Sequence, residues 1–197
     1  VQIRRLVAKY ARWLHIYGSM ISFAVVFFFS VTGLTLNHPQ WFANQQRTTS
    51  LKGSLESSWV SMPGEDQIKR LEIVEFLRTT HGIHGALGDF RIDERECALT
   101  FKGPGYSADI FIDRSTGQYE VTEARMGFGA IINDLHKGRD SGDVWKAIID
   151  LSAVLLVFVS ATGLVLLWFL HKHRIAGVLS LAAGSVLTYL IYAIWVP

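Results

Sequence analysis

Residues Trp13 to Leu36 read WLHIYGSMISFAVVFFFSVTGLTL, and no Asp, Glu, Lys or Arg occurs between Arg12 and Arg47. A helix crossing the hydrocarbon core of a bilayer needs roughly 20 mostly apolar residues, and this stretch reaches that length. Its apolar run exceeds the roughly 7–15 residues of a signal-peptide core. Asn37-His38-Pro39-Gln40-Trp41-Phe42 follows it instead of a small-x-small cleavage site, so it reads as an uncleaved anchor. Two further blocks are equally free of charge: 151–170 (LSAVLLVFVSATGLVLLWFL) and 175–196. The chain is therefore expected to be a mainly α membrane protein with three transmembrane helices.

Composition agrees. Of 197 residues half are hydrophobic and 18% are charged, against roughly 25% charged in an average soluble domain, which argues against a soluble enzyme. The single cysteine, Cys97, excludes an internal disulfide, a four-cysteine zinc site and a cysteine-ligated iron–sulfur cluster. A net charge of +2 implies no nucleic-acid partner. Arg4, Arg5, Lys9 and Arg12 precede the first span, and Lys172 and Arg174 lie between the second and third. Basic residues flanking spans favour the cytoplasm. Both clusters fall on one side of a three-span topology, which predicts a cytoplasmic N-terminus and residues 37–147 outside.

Between the first two spans lies the only polar part. Residues 65–82 carry Ile68, Leu71, Val74, Phe76 and Leu77 at helical spacing, ending at Gly82. Strand-like runs follow at 87–92, 97–102, 107–113 and 118–121, separated by Gly103-Pro104-Gly105 and Ser115-Thr116-Gly117 turns. The expectation is a small α+β insert, one helix followed by a three- or four-stranded antiparallel meander. Residues 42–63 read as an irregular linker. The chain thus divides into 1–38, a first span; 39–125, the insert; 126–174, an amphipathic segment and second span; and 175–197, a third span.

Seven histidines stand out, and five lie at predicted membrane boundaries: His15, His38, His136, His171 and His173. Each face receives histidines from two helical segments, His15 with His171 or His173 on one side and His38 with His136 on the other. Bis-histidine haem ligation wants this arrangement, because neutral imidazole is a good axial ligand and bundles build cofactor sites between facing helices. His15 and His38 are separated by about 34 Å of helix, too far for one haem, so the spacing suggests two. Gly18, Ser19 and Ser22 would let a flat macrocycle approach. Arg12, Lys137 and Arg139 are candidate partners for haem propionates, and Asp134 and Asp140 could orient His136. Zinc or copper held by His171 and His173 is a lesser alternative. His81 and His84 read as surface or core residues. Ser30-Val-Thr32-Gly33-Leu34 recurs as Ser160-Ala-Thr162-Gly163-Leu164, each copy preceded by a Leu-His pair, Leu14-His15 and Leu135-His136. This suggests an inverted repeat.

At these residues the chain resembles the PepSY-associated transmembrane family. The matching segments are Arg12-Trp-Leu-His15-Ile-Tyr-Gly18, Thr32-Gly33-Leu34, Leu135-His136-Lys-Gly138-Arg139, and Asp150-Leu-Ser-Ala followed by Thr162-Gly163-Leu-Val-Leu-Leu-Trp168. Residues 65–121, with Phe111-Ile-Asp113-Arg-Ser-Thr-Gly117, look like the PepSY module itself. The resemblance implies an inner-membrane protein carrying one or two b-type haems, similar to ferric-siderophore reductases, with His15 and His136 as leading ligands and His38 and His171 ranked second. Larger members have four or more spans, so it also implies a homodimer or a partner subunit.

The resulting expectation is an electron relay across the bilayer to a periplasmic acceptor such as a ferric chelate. The alternatives are an accessory or anchoring subunit of a larger complex, and a PepSY-type peptidase regulator. No G-x-G-x-x-G segment supports nucleotide binding.

Overall fold

A computed structural model of the chain describes residues 2–60, 68–170 and 172–197, without the side chain of Ala43. The chain divides into two compact units, Phe28–Ile148 and Val1–Phe27 with Ile149–Pro197.

The first of these units is built on an antiparallel sheet. Its strands are β1 (Arg47–Ser54), β2 (Ala86–Ile92), β3 (Glu96–Gly103), β4 (Tyr106–Asp113) and β5 (Gln118–Arg125), in the order β1-β5-β4-β3-β2. Period-two alternation turns one side inward. Cys97, Leu99 and Phe101 of β3, Ala108, Ile110 and Ile112 of β4, and Tyr119 and Val121 of β5 are all buried. Helix α2 (Arg70–His81) covers that face with Ile73 and Leu77, and ends at Gly82 in the left-handed conformation at φ 65°. Leu55, Val60, Ile68 and Ile83 complete the core.

Membrane-length helices carry the apolar blocks. They are α1 (Gln2–Asn37), α4 (Gly142–Phe169) and α5 (Arg174–Trp195), and each is long and apolar enough to cross a bilayer. Within the second unit α1 and α4 approach closely at Gly18, where an added Cβ would lie 3.2 Å from Val159 Cγ2. Gly177 of α5 leaves room for Leu167 of α4. Arg4 lies over the Phe169 ring and Arg174 over Trp168. No described residue of α5 is buried, as expected of a helix whose apolar surface faces lipid rather than a protein core.

Two expectations need correction. The anticipated fold class, mainly α with a small α+β insert, is overturned by a five-stranded sheet. Its first strand precedes α2 and lies in the segment read as linker. The three spans, with the strands between the first and second, match the sequence reading. Strand β1 (RTTSLKGS) escaped notice because it is an edge strand with little apolar content. Only Leu51 and Gly53 are partly covered, and its ladder to β5 runs from Arg47↔Arg125 to Ser54↔Gln118. A Cβ on Gly53 would collide with the Tyr119 phenol, so the strand approaches β5 where no side chain fits. Leu71, expected to be inward, is exposed because α2 starts at Arg70 and its inward stripe is Ile73 and Leu77. The predicted helical residues 65–67 lie outside the described residues.

Candidate functional site

Helix α3 (Phe128–Lys137) is a short amphipathic element fixed at several points within the sheet unit. Gly129 makes room for the Phe42 ring. Asp134 Oδ2 accepts the Gly105 N–H at 2.9 Å, in the β3–β4 turn. The Trp145 indole donates to Leu135 O at 2.8 Å. Gly138, at φ 67°, closes the helix with its N–H on the carbonyls of Asp134 and Leu135. These contacts set the position of His136 in the last turn.

His136 meets Thr32 of α1, with Nδ1 2.6 Å from Thr32 Oγ1. The threonine hydroxyl donates to Phe28 O at 2.8 Å. A hydroxyl has one proton; directed at Phe28 O, it leaves Thr32 as the acceptor toward the imidazole, the arrangement that goes with a His136 proton on Nδ1. The Phe29 ring packs edge-on at 5.1 Å. The residue after the threonine is Gly33, where an added Cβ would stand 3.6 Å from His136 Cε1. One turn on, the Thr35 hydroxyl lies 2.8 Å from Thr32 O and 2.9 Å from Asn133 Oδ1 of α3.

The same constellation occurs in the other unit. His15 of α1 has Nδ1 3.1 Å from Thr162 Oγ1 and 3.2 Å from Val159 O. Thr162 spends its own proton on Val159 O at 2.8 Å. Both neighbours of the ring nitrogen therefore accept, which fixes the proton on Nδ1. Gly163 follows, and its Cβ would be 3.1 Å from His15 Cε1. Thr32 and Thr162 are both buried, and both histidines are half-buried.

The repeat in the sequence is thus used crosswise. The Leu-His of the first copy meets the Thr-Gly of the second, and the Leu-His of the second meets the Thr-Gly of the first. In both, Nδ1 faces the threonine, and Nε2 has no hydrogen-bond partner among the described residues. Neutral imidazole with Nδ1–H donated to oxygen is the form in which histidine ligates a metal through Nε2. Among the described residues no group of three or more His, Cys, Asp or Glu could hold a metal ion, so each imidazole offers a single donor.

The other candidates fall elsewhere. His38, just past α1, stacks on Trp41 with centroids 4.4 Å apart, and Gln40 Nε2 lies 3.3 Å from its Nδ1. His171 lies outside the described residues. His173 is exposed at the start of α5. His15 is about 16 Å of helical rise from Arg4, and it is Arg4 that lies over Phe169. His15 and His173 are not brought together. Arg12 lines a groove with Arg5 and Lys9. Arg139 is exposed, 4.0 Å from Asp134. Gly18 serves helix packing against Val159 rather than standing open, and Asp134 holds the sheet turn, leaving Thr32 as the group that orients His136. His81 Nε2 sits 2.7 Å from Tyr119 Oη, and His84 N–H donates to Tyr106 Oη at 3.2 Å.

Thr32 and Thr162, which the sequence reading placed only in the repeat, are the residues brought against His136 and His15. The repeated Thr-Gly was the available signal; what it lacked was a reason to pair each copy with the histidine of the other, 104 and 147 residues away.

Three membrane-length helices and a folded sheet between the first two define a membrane protein with one large insert. The model of the PepSY_TM-like family matches residues 9–197, and the chain belongs to that family. No curated protein and no solved structure matches the chain.

Proposed function

We propose that this protein binds b-type haem through Nε2 of His15 and of His136 and relays electrons across a bacterial inner membrane. In this reading the N-terminus is cytoplasmic and residues 37–147 face the periplasm, where an acceptor such as a ferric chelate is reduced. One observation carries the proposal: each imidazole turns Nδ1 to the hydroxyl of a buried threonine, and its Nε2 has no hydrogen-bond partner among the described residues. A haem would be held by one imidazole nitrogen of this chain at each site, since imidazole ligates haem iron without the several-residue cage that a bare metal ion needs. Bound haem supplies one-electron chemistry at each site. The chain's own contribution is to hold ring orientation and tautomer at His15 and His136 and to keep a glycine beside each ring. Arg139 is the residue of charge suited to a propionate on the His136 side.

The test is an absorption spectrum of the purified full-length protein with pyridine haemochrome quantification. Dithionite-reduced b-type bands are expected, with haem per chain falling in His15→Ala and again in His136→Ala. Parallel His38→Ala, His171→Ala and His173→Ala variants identify a second axial ligand by a low-spin to high-spin change. A colourless protein, or haem content unchanged in both leading variants, overturns the reading.

A second reading rests on the same hydrogen bonds. His–Thr bonds between helices are ties of the kind that hold membrane helices together, and on that view the chain is a non-catalytic accessory subunit. Colourless wild-type protein whose thermal midpoint falls in Thr32→Val favours it.

A further inference from the structure

We propose that the N-terminal part of α1 binds the phosphodiester headgroup of an anionic glycerophospholipid. Arg5, Lys9 and Arg12 line one shallow surface groove of α1 together with Trp13 and Tyr17. At 100° per residue the three cations fall within an arc of about 60°, so their charges add on one side of the helix. None of the three is in an ion pair with a carboxylate among the described residues. After Arg12 the next acid along the chain is Glu56.

The position of the groove selects the ligand. Helix α1 has 36 residues, about 54 Å of rise, against a hydrocarbon core of about 30 Å. The excess has to lie beyond the core. The charge-free run begins at Trp13, immediately after Arg12. The groove therefore straddles the boundary, with cations on the polar side and aromatic rings on the apolar side. The Trp13 and Tyr17 rings lie side by side, centroids 5.1 Å apart and tilted by 49°, and Trp and Tyr are the residues that sit at headgroup level. A phosphodiester with a glycerol and acyl chains below it matches that order of charge, aromatic ring and hydrocarbon. A soluble anion matches only the charge.

The purified full-length protein in detergent is titrated with dioleoylphosphatidylglycerol or dioleoylphosphatidylcholine, and bound lipids are counted by native mass spectrometry. The expected result is a retained phosphatidylglycerol adduct with no phosphatidylcholine equivalent. The triple variant Arg5→Gln/Lys9→Gln/Arg12→Gln should weaken that adduct on the order of a hundredfold. A Lys172→Gln/Arg174→Gln variant should keep it, as should the charge-retaining Arg5→Lys/Lys9→Arg/Arg12→Lys. If the triple variant does not fold, Lys9→Glu replaces it, with a loss of at least severalfold expected. Equal adducts of the two lipids overturn the proposal. So does a phosphatidylglycerol adduct that survives loss of the groove's charge, or one displaced by millimolar glycerol 3-phosphate, which would identify a soluble phosphate as the ligand.

Discussion

Thr32 has one hydroxyl proton, and Phe28 O lies 2.8 Å from its oxygen. With the proton directed there, Thr32 accepts from His136 Nδ1 and leaves Nε2 for a ligand. Replacing Thr32 by Val keeps volume and removes the acceptor, leaving a half-buried N–H unsatisfied. The lost interhelix bond should lower stability by roughly 0.6–1.7 kcal/mol. If His136 ligates haem, haem affinity should also drop tenfold to a hundredfold, as when a metal-bound histidine loses its outer partner. Thr32→Ser should restore both. The readouts are thermal midpoint and haem-to-protein ratio, and an unchanged ratio in Thr32→Val would remove the orienting role. Thr162→Val makes the same test at His15, with a smaller stability effect expected, because Val159 O remains as a second acceptor at 3.2 Å. The histidines themselves were legible in the sequence because imidazoles at the ends of apolar runs are conspicuous. Their partners were not, since a threonine in an apolar helix reads equally well as a residue bonding back to its own backbone, which both threonines also do.

At the scale of elements the two histidine sites differ in clearance. A Cβ at position 163 would come within 3.1 Å of His15, and one at position 33 within 3.6 Å of His136. Gly163→Ala must therefore push the His15 ring, whereas Gly33→Ala makes ordinary contact. On the haem-binding proposal, the first should reduce haem retention and the second should leave it near wild type, read as haem per chain. Equal effects would mean the glycines matter for helix propensity alone. The β4–β5 turn gives a different prediction. Asp113 Oδ1 accepts from the Ser115 hydroxyl at 2.6 Å, and from the N–H and hydroxyl of Thr116 and the N–H of Ser115. Led by the Ser115 hydroxyl, these bonds hold the carboxyl at about 2, below its ordinary 3.8. A depressed carboxylate contributes stability above its unfolded value, and that contribution is lost as pH falls toward the folded one. The thermal midpoint should therefore decline between about pH 4 and pH 2 in the wild type and decline less in Asp113→Asn. Parallel acid profiles would show that other carboxylates govern that range. Strands β2 to β5 were legible because alternation and Gly-containing turns bracket them. Strand β1 was hidden because an edge strand needs only one covered face, and here a glycine and a leucine supply most of it.

For the whole molecule the division into two units makes a prediction that one residue reports. Cys97 is the only cysteine and is fully buried in the sheet core. Burial also raises its thiol pKa, and the thiolate is the reactive form. Labelling of Cys97 in folded protein should therefore be slow and should require the sheet unit to open. The core around it, from Leu55 to Val121, is drawn entirely from that unit. Helical signal comes mostly from elsewhere: α1, α4 and α5 have 36, 28 and 22 residues, against 12 and 10 for α2 and α3. Spanning helices in lipid keep their backbone bonds internal, because the hydrocarbon offers no competing partner. In nanodiscs under increasing urea, Cys97 labelling should rise to completion while most far-UV helical signal persists. Two separated midpoints would mean that the sheet unit can open without dismantling the helices that carry His15. A single midpoint shared by labelling and helix loss would instead make the chain one cooperative body, and a core substitution that keeps the thiol, Ile110→Ala, would then be expected to shift both signals together.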